Sequence, residues 1–175
     1  MAILNFEFKA RAADIDALEQ RLLEFNPRFG GEDRQIDTYF NVATGRLKLR
    51  EGNIENALIH YERADKTGAK QSSILLYEHQ PNADLKEILK RSLGVKVVVD
   101  KRRRIYFIEN VKFHFDRLDG LGTFVEVEAI DRDGSIGIET LERQCRKYAE
   151  LFEIKYSDYV SESYSDLILT SKLND

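Results

Sequence analysis

The chain has 175 residues, of which 42% are hydrophobic and 33% are charged, and its formal net charge is −4 at pH 7. This length and composition predict one globular domain over residues 1–175, with enough apolar material for a core. The net negative charge argues against a protein that binds nucleic acid or anionic membranes through a general positive field, so any anion site must be local.

The sequence also argues against a membrane or secreted protein. No stretch approaches the roughly 18 apolar residues of a spanning helix, and the chain opens directly into a strand pattern without a signal peptide. We therefore expect a cytoplasmic protein that does not bind membranes. The single cysteine, Cys145, excludes an internal disulfide, and its place in a helical pattern predicts a buried structural thiol without catalytic chemistry.

The first predicted strand covers residues 3–9, where apolar and polar side chains alternate with a period of two. Most soluble strands turn their charged face to water. Here the same alternation recurs in later strands, whose charged faces together hold more acid and base than solvated faces need. We therefore predict that the polar face points inward. The apolar face carries Leu4, Phe6 and Phe8, and the polar face carries Asn5, Glu7 and Lys9.

A helix and a hairpin are predicted next. Apolar residues at helical spacing predict a helix over residues 12–25, with Asp14 as its N-cap. After a turn at Gly30-Gly31, residues 34–40 and 46–50 are predicted to form two paired strands. In the second strand three cations share one face, and their mutual repulsion calls for anions or water between them.

The rest of the chain alternates hairpins with helices. Eight strands joined mainly as meanders indicate an α+β, mainly β fold, namely an eight-stranded antiparallel β-barrel tunnel with helices packed outside. The further predicted strands cover 56–63, 73–79, 95–108, 110–116 and 123–130, the helices cover 82–93, 139–152 and 159–172, and a polar turn covers 64–70.

A barrel of this kind sends its apolar faces outward, beneath the helices, and its polar faces into the lumen. Buried charges at this density are costly unless they are paired or matched by a ligand. Cations would hold phosphate oxygens, and grouped carboxylates would hold Mg²⁺ or Mn²⁺. The predicted lumen residues are Glu7, Lys9, Lys48, Arg50, Arg63, Glu78, Lys101, Arg103, His114, Asp116, Glu126 and Glu128.

Each assignment has a simpler alternative. Taken alone, a pair such as Glu126 and Glu128 is an exposed acidic edge. The basic run over residues 101–104 is a surface or nucleic-acid patch in that interpretation, although alternation sends only its first and third members into the lumen. His114 fits a structural role as well as it fits a catalytic or phosphate-binding one.

An ordered set of motifs resembles the CYTH superfamily of triphosphate tunnel proteins, which includes class IV adenylyl cyclases and thiamine triphosphatases. The resemblance covers nearly the whole chain, and although each motif alone is weak, the ordered set is specific. The motifs are Asn5-Phe6-Glu7-Phe8-Lys9 in place of the family's Glu-x-Glu-x-Lys, Asp37-Thr38-Tyr39-Phe40, Leu47-Lys48-Leu49-Arg50, Tyr61-Glu62-Arg63, Lys101 with Arg103, His114 with Asp116, and Leu121 through Glu128.

The resemblance implies a tunnel that binds a nucleoside triphosphate or another triphosphate, with one or two divalent metals on carboxylates. The metal, Mg²⁺ or Mn²⁺, would be bound by Glu7, Glu126 and Glu128, with Asp116 as a further member of the set. The implied catalytic residues are Glu7, Lys9, Glu126 and Glu128. The implied phosphate-binding residues are Lys9, Lys48, Arg50, Arg63, Lys101 and Arg103.

Three functions stay open at this point. The segments 61–65 and 68–72 are similar to those of cyclase-like members, which favours conversion of ATP to cyclic AMP and pyrophosphate; similar cyclases are dimers, so a homodimer is one expectation. An inorganic or thiamine triphosphatase needs the same cations and metals. A non-catalytic triphosphate or polyphosphate binder is the third function, and Asn5 supports it because an amide brings no charge where the family has a glutamate.

Overall fold

The computed structural model describes residues 3–63 and 70–173, apart from the side chains of residues 63, 70 and 71. The predicted turn over residues 64–70 therefore lies almost entirely outside the described residues. The strands are β1 (Ile3–Arg11), β2 (Arg28–Phe40), β3 (Arg46–Glu51), β4 (Asn56–Arg63), β5 (Lys70–Glu78), β6 (Val95–Ile108), β7 (Val111–Leu118) and β8 (Gly122–Asp131). The helices are α1 (Ile15–Leu23), α2 (Ala83–Leu93), α3 (Ile138–Leu151) and α4 (Tyr164–Leu173).

The strands form a closed barrel in the order β1-β5-β4-β3-β2-β6-β7-β8, and every neighbouring pair is antiparallel. Strands β2 to β5 make one meander and β6 to β8 make another. The first strand joins the two meanders by pairing with both β5 and β8. The predicted eight-stranded antiparallel barrel is confirmed. A closed barrel leaves no free strand edge, so its two surfaces are an outer face and a lumen.

Strand β1 shows which way the alternating faces point. Phe8 is buried on the outer face in an apolar cluster with Leu141 and Cys145 of α3, whereas Glu7 and Lys9 line the lumen. The helices outside the barrel supply the apolar contacts that the outward faces need. Buried Cys145 belongs to this packing, and burial raises the pKa of its thiol to about 12. Among the described residues no helix is both long and apolar enough to cross a membrane.

Helix α1 is shorter than the predicted span of 12–25. Asp14 is its N-cap, as predicted, and accepts a hydrogen bond of 3.0 Å from the backbone N–H of Ala17. Ala12 does not join the helix because its N–H donates to the carbonyl of Thr123 at 3.0 Å, which extends the pairing of β1 with β8. The helix therefore starts only after Asp14.

The predicted turn at Gly30-Gly31 is wrong. These glycines lie inside β2, where the pairing with β6 shifts register between Phe29 and Gly31. Gly31 has a φ of 113°, and a Cβ at Gly30 would lie 2.8 Å from the ring of Phe107. The two glycines thus form a bulge with no room for side chains, and the strand continues through it.

The fourth helix starts at Tyr164 rather than at the predicted residue 159. The chain before it is extended, because Tyr159 bridges to Ala10 and the N–H of Val160 donates to the carbonyl of Lys9 at 2.9 Å. Val160 and Tyr164 are buried in an apolar cluster with Phe124 and other lumen residues. This C-terminal segment closes one end of the barrel lumen.

Candidate functional site

The lumen is a cavity of about 1570 Å³ that opens where β5 leads into α2. The strand order divides its surface into four walls. The acidic wall is formed by β8 and β1, the apolar wall by β5 and β4, the cationic wall by β3, β2 and β6, and the remaining wall by β7. In a closed ring of eight strands the acidic wall lies opposite the cationic wall, and the β7 wall lies opposite the apolar wall.

The cationic wall is organised around the carboxylate of Asp37. Arg50 donates two hydrogen bonds of 2.9 Å to it, and the Nζ atoms of Lys101 and Lys48 lie 2.8 and 3.2 Å from its Oδ2. Asp37 and Lys101 are almost completely buried. Three cations around one carboxylate leave positive charge in excess, so this wall is suited to an anion with several negative oxygens.

Two pKa shifts follow from this crowding. Burial lowers the pKa of Lys101 to about 7, with Arg50 and Arg103 acting in the same direction and Asp37 opposing them. The pKa of Asp37 stays well below its usual range because Arg50, Lys101 and Lys48 outweigh the effect of burial. Asp37 therefore stays ionised, whereas Lys101 exchanges its proton near neutral pH.

Arg103 lies at the boundary between the cationic wall and the β7 wall. It donates two hydrogen bonds of 2.6 Å to Asp116 and one of 3.2 Å to Glu126. Asp116 also accepts a hydrogen bond of 2.7 Å from the hydroxyl of Tyr164 in α4. These contacts fix the guanidinium of Arg103 between the cationic and acidic walls, and they tie the C-terminal segment to the barrel.

The loop between β3 and β4 adds a carboxylate to the cavity opening. Glu55 contacts Lys112 of β7 and accepts a hydrogen bond of 3.1 Å from Arg50. Its backbone N–H donates to Asp33 at 3.0 Å, and Asp33 also accepts from the backbone N–H of Ile54. Burial acts to raise the pKa of Glu55, but Lys112 and Arg50 hold that pKa well below its usual range. The loop thus places a fixed negative charge beside two cations.

The acidic wall brings Glu7, Glu126 and Glu128 together, with one carboxylate oxygen from each lying within 4.8 Å of the others. Asn5 is buried beside them, and its Nδ2 donates to Glu128 at 3.1 Å and to Glu7 at 3.4 Å. Burial raises the pKa of Glu128 to about 7, and the neighbouring charge of Glu7 adds to this rise. A proton or a cation is therefore needed to balance these carboxylates.

The donor set fits a divalent metal ion. Mg²⁺ and Mn²⁺ prefer oxygen ligands and are commonly held by one or two carboxylates together with substrate phosphates. Glu7, Glu126 and Glu128 offer such oxygens in one place. The Oδ1 atom of Asn5 is buried without a hydrogen-bond partner among the described residues, so it is a further oxygen available there.

The apolar wall carries aliphatic and aromatic side chains. Ala57, Ile59 and Tyr61 of β4 and Ile74 and Leu76 of β5 all line the cavity. These five side chains form an uncharged surface between the acidic and the cationic wall, and such a surface can contact an organic group while the charged walls contact phosphates and metal. The cavity also exceeds the roughly 300–1,000 Å³ that is usual for small-molecule sites, so it can hold a ligand larger than inorganic tripolyphosphate.

The structure brings most of the predicted lumen residues together. Lys9 lies at the closed end, where its Nζ donates to the carbonyl of Glu162 at 2.7 Å. Arg63 pairs with Ser72 in the backbone register, but its side chain lies outside the described part of the chain. Glu78 is exposed at the cavity opening. The other predicted residues that line the cavity are Glu7, Lys48, Arg50, Lys101, Arg103, His114, Glu126 and Glu128.

Asp116 differs from the other residues of the expected metal set. It is not part of the group formed by the three glutamates, because its carboxylate is held by Arg103 and Tyr164. Burial acts to raise its pKa, but Arg103 keeps the pKa below the usual range. In this arrangement Asp116 orients Arg103.

Sequence reasoning missed several residues of the site. Lys112 is in phase with His114 along β7, so alternation alone could have identified it. Asp37 appears in the sequence only as part of a family motif, although it is the centre of the cationic wall. Glu55 lies in a loop and Tyr164 starts a helix, and neither position carries a periodic signal that would place it at the cavity.

Comparison with known proteins adds independent information. A family model described as CYTH domain matches residues 4–164. The adenylate cyclase CyaB of Aeromonas hydrophila is 27% identical over 174 residues, which cover 92% of this chain and 86% of that protein. The PH1012 protein of Pyrococcus horikoshii superposes with a TM-score of 0.80 at 26% identity, covering 95% of this chain and 99% of that chain.

A plant structure is also similar. HpAC1 from Hippeastrum, an adenylyl cyclase by name that is described as having a dominant triphosphatase activity, superposes with a TM-score of 0.62. It is 15% identical, and the superposition covers 98% of this chain and 96% of that chain. At this identity the likeness shows a shared fold alone.

Proposed function

This chain belongs to the CYTH family, and from that membership we propose that it is a divalent-metal-dependent enzyme acting on a nucleoside triphosphate. CYTH enzymes are adenylyl cyclase-like or triphosphatase enzymes, depend on metal and bind triphosphates. The reaction we propose is the conversion of ATP to cyclic AMP and pyrophosphate.

The excess of cations around Asp37, facing the acidic wall across the lumen, is the observation that carries the proposal. Lys48, Arg50 and Lys101 offer charged donors to phosphate oxygens. The carboxylates of the opposite wall are suited to a metal ion that shares those oxygens. A chain of phosphates placed between the two walls balances the charge of both.

The nucleoside part of the substrate is assigned to the apolar wall. Ile59, Tyr61 and Ile74 present carbon surface to the cavity beside the charged walls. Burial of a base and a sugar against such a surface removes apolar area from water, which favours binding. Inorganic tripolyphosphate has no group that could use this wall.

In the proposed reaction the ribose 3′ oxygen attacks the α-phosphorus and its proton passes to water, while the bond between the α-phosphorus and the bridging oxygen of the β-phosphate breaks and pyrophosphate leaves. Negative charge grows on the departing pyrophosphate. Arg50 and Arg103 are held in fixed orientations by Asp37 and Asp116, so they can stabilise that charge with little rearrangement. A bound divalent ion would neutralise phosphate oxygens at the same stage.

Hydrolysis is the second candidate. In that reaction water attacks the terminal phosphorus of an inorganic, thiamine or nucleoside triphosphate, and the same cations stabilise the leaving group. The fold shared with HpAC1, which is described with a dominant triphosphatase activity, favours keeping this candidate. The charged walls serve both reactions equally well.

A non-catalytic binder is the third candidate. Its support is Asn5, which contributes an amide to the acidic wall and therefore leaves three carboxylates there. A site with less negative charge holds a divalent ion more weakly. Binding of triphosphate to the cationic wall does not depend on that ion.

The deciding experiment is incubation with ATP, GTP, thiamine triphosphate and tripolyphosphate, each with Mg²⁺ or Mn²⁺, followed by phosphorus NMR of the products. Cyclic AMP with pyrophosphate supports the proposal, and orthophosphate replaces it with hydrolysis. If no product forms but calorimetry shows that a triphosphate binds, the result supports the non-catalytic binder. Glu7→Gln should abolish turnover, whereas Glu150→Gln on the exposed face of α3 should not.

A further inference from the structure

His114 is the least explained polar residue of the cavity. It lies on β7, opposite Ile105 of β6 and Glu126 of β8 in the backbone register, and it lines the cavity. Only 2% of its surface is exposed. The β7 wall lies between the cationic wall and the acidic wall, so His114 is located between the two charged surfaces of the lumen.

Neither ring nitrogen of His114 has a hydrogen-bond partner among the described residues. Oε2 of Glu126 is 3.8 Å from Nδ1, which is within ion-pair range but beyond hydrogen-bond distance. Buried polar atoms in folded proteins are almost always paired, because an unpaired one loses its hydration without compensation. A buried imidazole with two unpaired nitrogens therefore indicates a partner that binds in the cavity.

The charges around His114 define the kind of partner. Arg103 of β6 and Lys112, two residues before His114 on β7, bring positive charge close to the ring, and Glu126 of β8 brings negative charge. Burial lowers the pKa of His114 to about 4, and Arg103 and Lys112 act in the same direction. In either protonation state the imidazole ring offers at least one N–H donor.

We propose that a ring N–H of His114 donates a hydrogen bond to a phosphate oxygen of the bound triphosphate, which makes His114 a substrate-contacting residue. This inference rests on the proposed function. A phosphate oxygen is the acceptor that the positive charges of Arg103 and Lys112 attract to this wall, and an unpaired N–H of His114 can donate to it.

A metal ion is a less suitable partner for His114. The oxygens of Glu7, Glu126 and Glu128 form a group within 4.8 Å, and the nitrogens of His114 lie outside that group. A purely structural histidine is also a poor explanation, because such a residue would be paired with a backbone or side-chain group.

The test uses the small number of histidines. The chain has three, so a nitrogen-15 NMR spectrum of the imidazole rings contains three sets of signals. His60 is the internal control, since its Nε2 lies 3.2 Å from the carbonyl of Thr44, away from the cavity lining. The probe is the non-hydrolysable imido analogue of tripolyphosphate, added with Mg²⁺ at saturation.

We expect the His114 signals to shift, and its N–H proton to become observable through slower exchange, while the His60 signals stay in place. Mg²⁺ alone should leave His114 unchanged. Unmoved His114 signals in a protein that calorimetry shows to be saturated would overturn the inference, and so would an equal shift with Mg²⁺ alone. If the analogue does not bind at all, the proposed function fails as well.

Two variants give a second measurement. His114→Leu keeps a similar side-chain volume but removes both nitrogens, and it should weaken binding of the analogue about tenfold, as expected for a hydrogen bond to a charged group. His114→Gln keeps an N–H donor and should recover most of that loss. Equal affinity in His114→Leu and the wild-type protein would contradict the contact, because a structural role does not distinguish these variants by ligand affinity.

Discussion

Asp37 and Arg50 lie opposite each other in the β2–β3 ladder and are joined by two hydrogen bonds of 2.9 Å. The same carboxylate also contacts Lys48 and Lys101. One buried anion thus holds three cations in place before any ligand arrives. Without this anion the cations would repel one another, and with it they are prepared for a polyanion.

Asp37→Asn should destabilise the fold, because it leaves three cations without their shared anion. Loss of one partner from a buried ion pair typically costs about 3–5 kcal/mol. Tripolyphosphate should restore part of this loss by supplying the missing charge, so its stabilising effect should be larger in the variant than in the wild-type protein. Thermal unfolding with and without tripolyphosphate measures both effects.

Asp100→Asn is the matched control for that variant. Asp100 pairs with Arg34 on the exposed outer face, and ion pairs of this kind contribute little. Its unfolding temperature and its response to tripolyphosphate should match those of the wild-type protein. A similar loss of stability in both variants would mean that Asp37 acts as an ordinary surface charge.

The variants Arg103→Gln and Arg102→Gln together test which side chains of β6 point into the lumen and which point outward. Arg103 is buried in the lumen, whereas Arg102 is exposed and pairs with Asp119. Calorimetry should show a loss of tripolyphosphate affinity of about tenfold or more for Arg103→Gln, as for a buried contact to a charged group. The loss for Arg102→Gln should be less than about threefold. Equal losses would contradict the assigned facing.

Binding of tripolyphosphate should take up a proton at Lys101 just above neutral pH. Its pKa of about 7 means that the free protein has mostly neutral Lys101 at pH 8, and a bound polyanion favours the charged form. Calorimetry at pH 8 in buffers of different ionisation enthalpy measures this uptake. Lys101→Met should reduce it, and identical uptake in both proteins would assign the proton to another group.

The lowered pKa of Lys101 also affects the stability of the folded protein. The pKa of Lys101 is about 7 in the folded protein against an ordinary value of 10.5, so the unfolded chain binds more protons between these values. The contribution of Lys101 to stability therefore rises with pH from about 7 to about 10.5. Lys101→Met should flatten the dependence of unfolding free energy on pH in that window.

Asn5→Glu should lower the metal concentration needed for half-maximal activity. The change adds a carboxylate next to Glu7 and Glu128, so the affinity for metal rises by tenfold for about each 1.4 kcal/mol gained. Mn²⁺ should outperform Mg²⁺ in the wild-type protein, because it binds such sites more tightly. A titration of activity with metal compares the two proteins.

The metal-free state provides the control for Asn5→Glu. Without metal the added carboxylate repels its neighbours and loses the hydrogen bonds that the Asn5 amide donates to Glu7 and Glu128. The variant should therefore unfold at a lower temperature in EDTA and gain more from added Mn²⁺ than the wild-type protein. An unchanged metal titration would show that another residue already supplies the missing charge.

The barrel and most of its lumen residues follow from local patterns in the sequence. Alternation places Lys48 and Arg50 on one face of β3, and the same rule sends Arg102 and Arg103 to opposite faces of β6. These assignments need only the period of a strand. The family motifs then fix which polar faces meet in one lumen.

The features that were not predicted depend on tertiary contacts. Glu55 reaches Arg50 from a loop, and Tyr164 reaches Asp116 from the start of a helix, so no strand period marks either residue. Gly30 and Gly31 look like a turn in sequence, yet they form a bulge because the ring of Phe107 occupies the space beside them. Such contacts depend on packing between distant segments of the chain.

In the part of the chain that the structure describes, Val160 and Tyr164 pack at one end of the barrel, and the cavity opens on the side of α2. A molecule that uses this opening enters and leaves by the same route. When a substrate is cleaved in such a cavity, the product nearer the opening dissociates first, and the product bound deeper dissociates after it. Release of the product bound deeper is therefore the rate-limiting step of turnover when the bond-breaking step is fast.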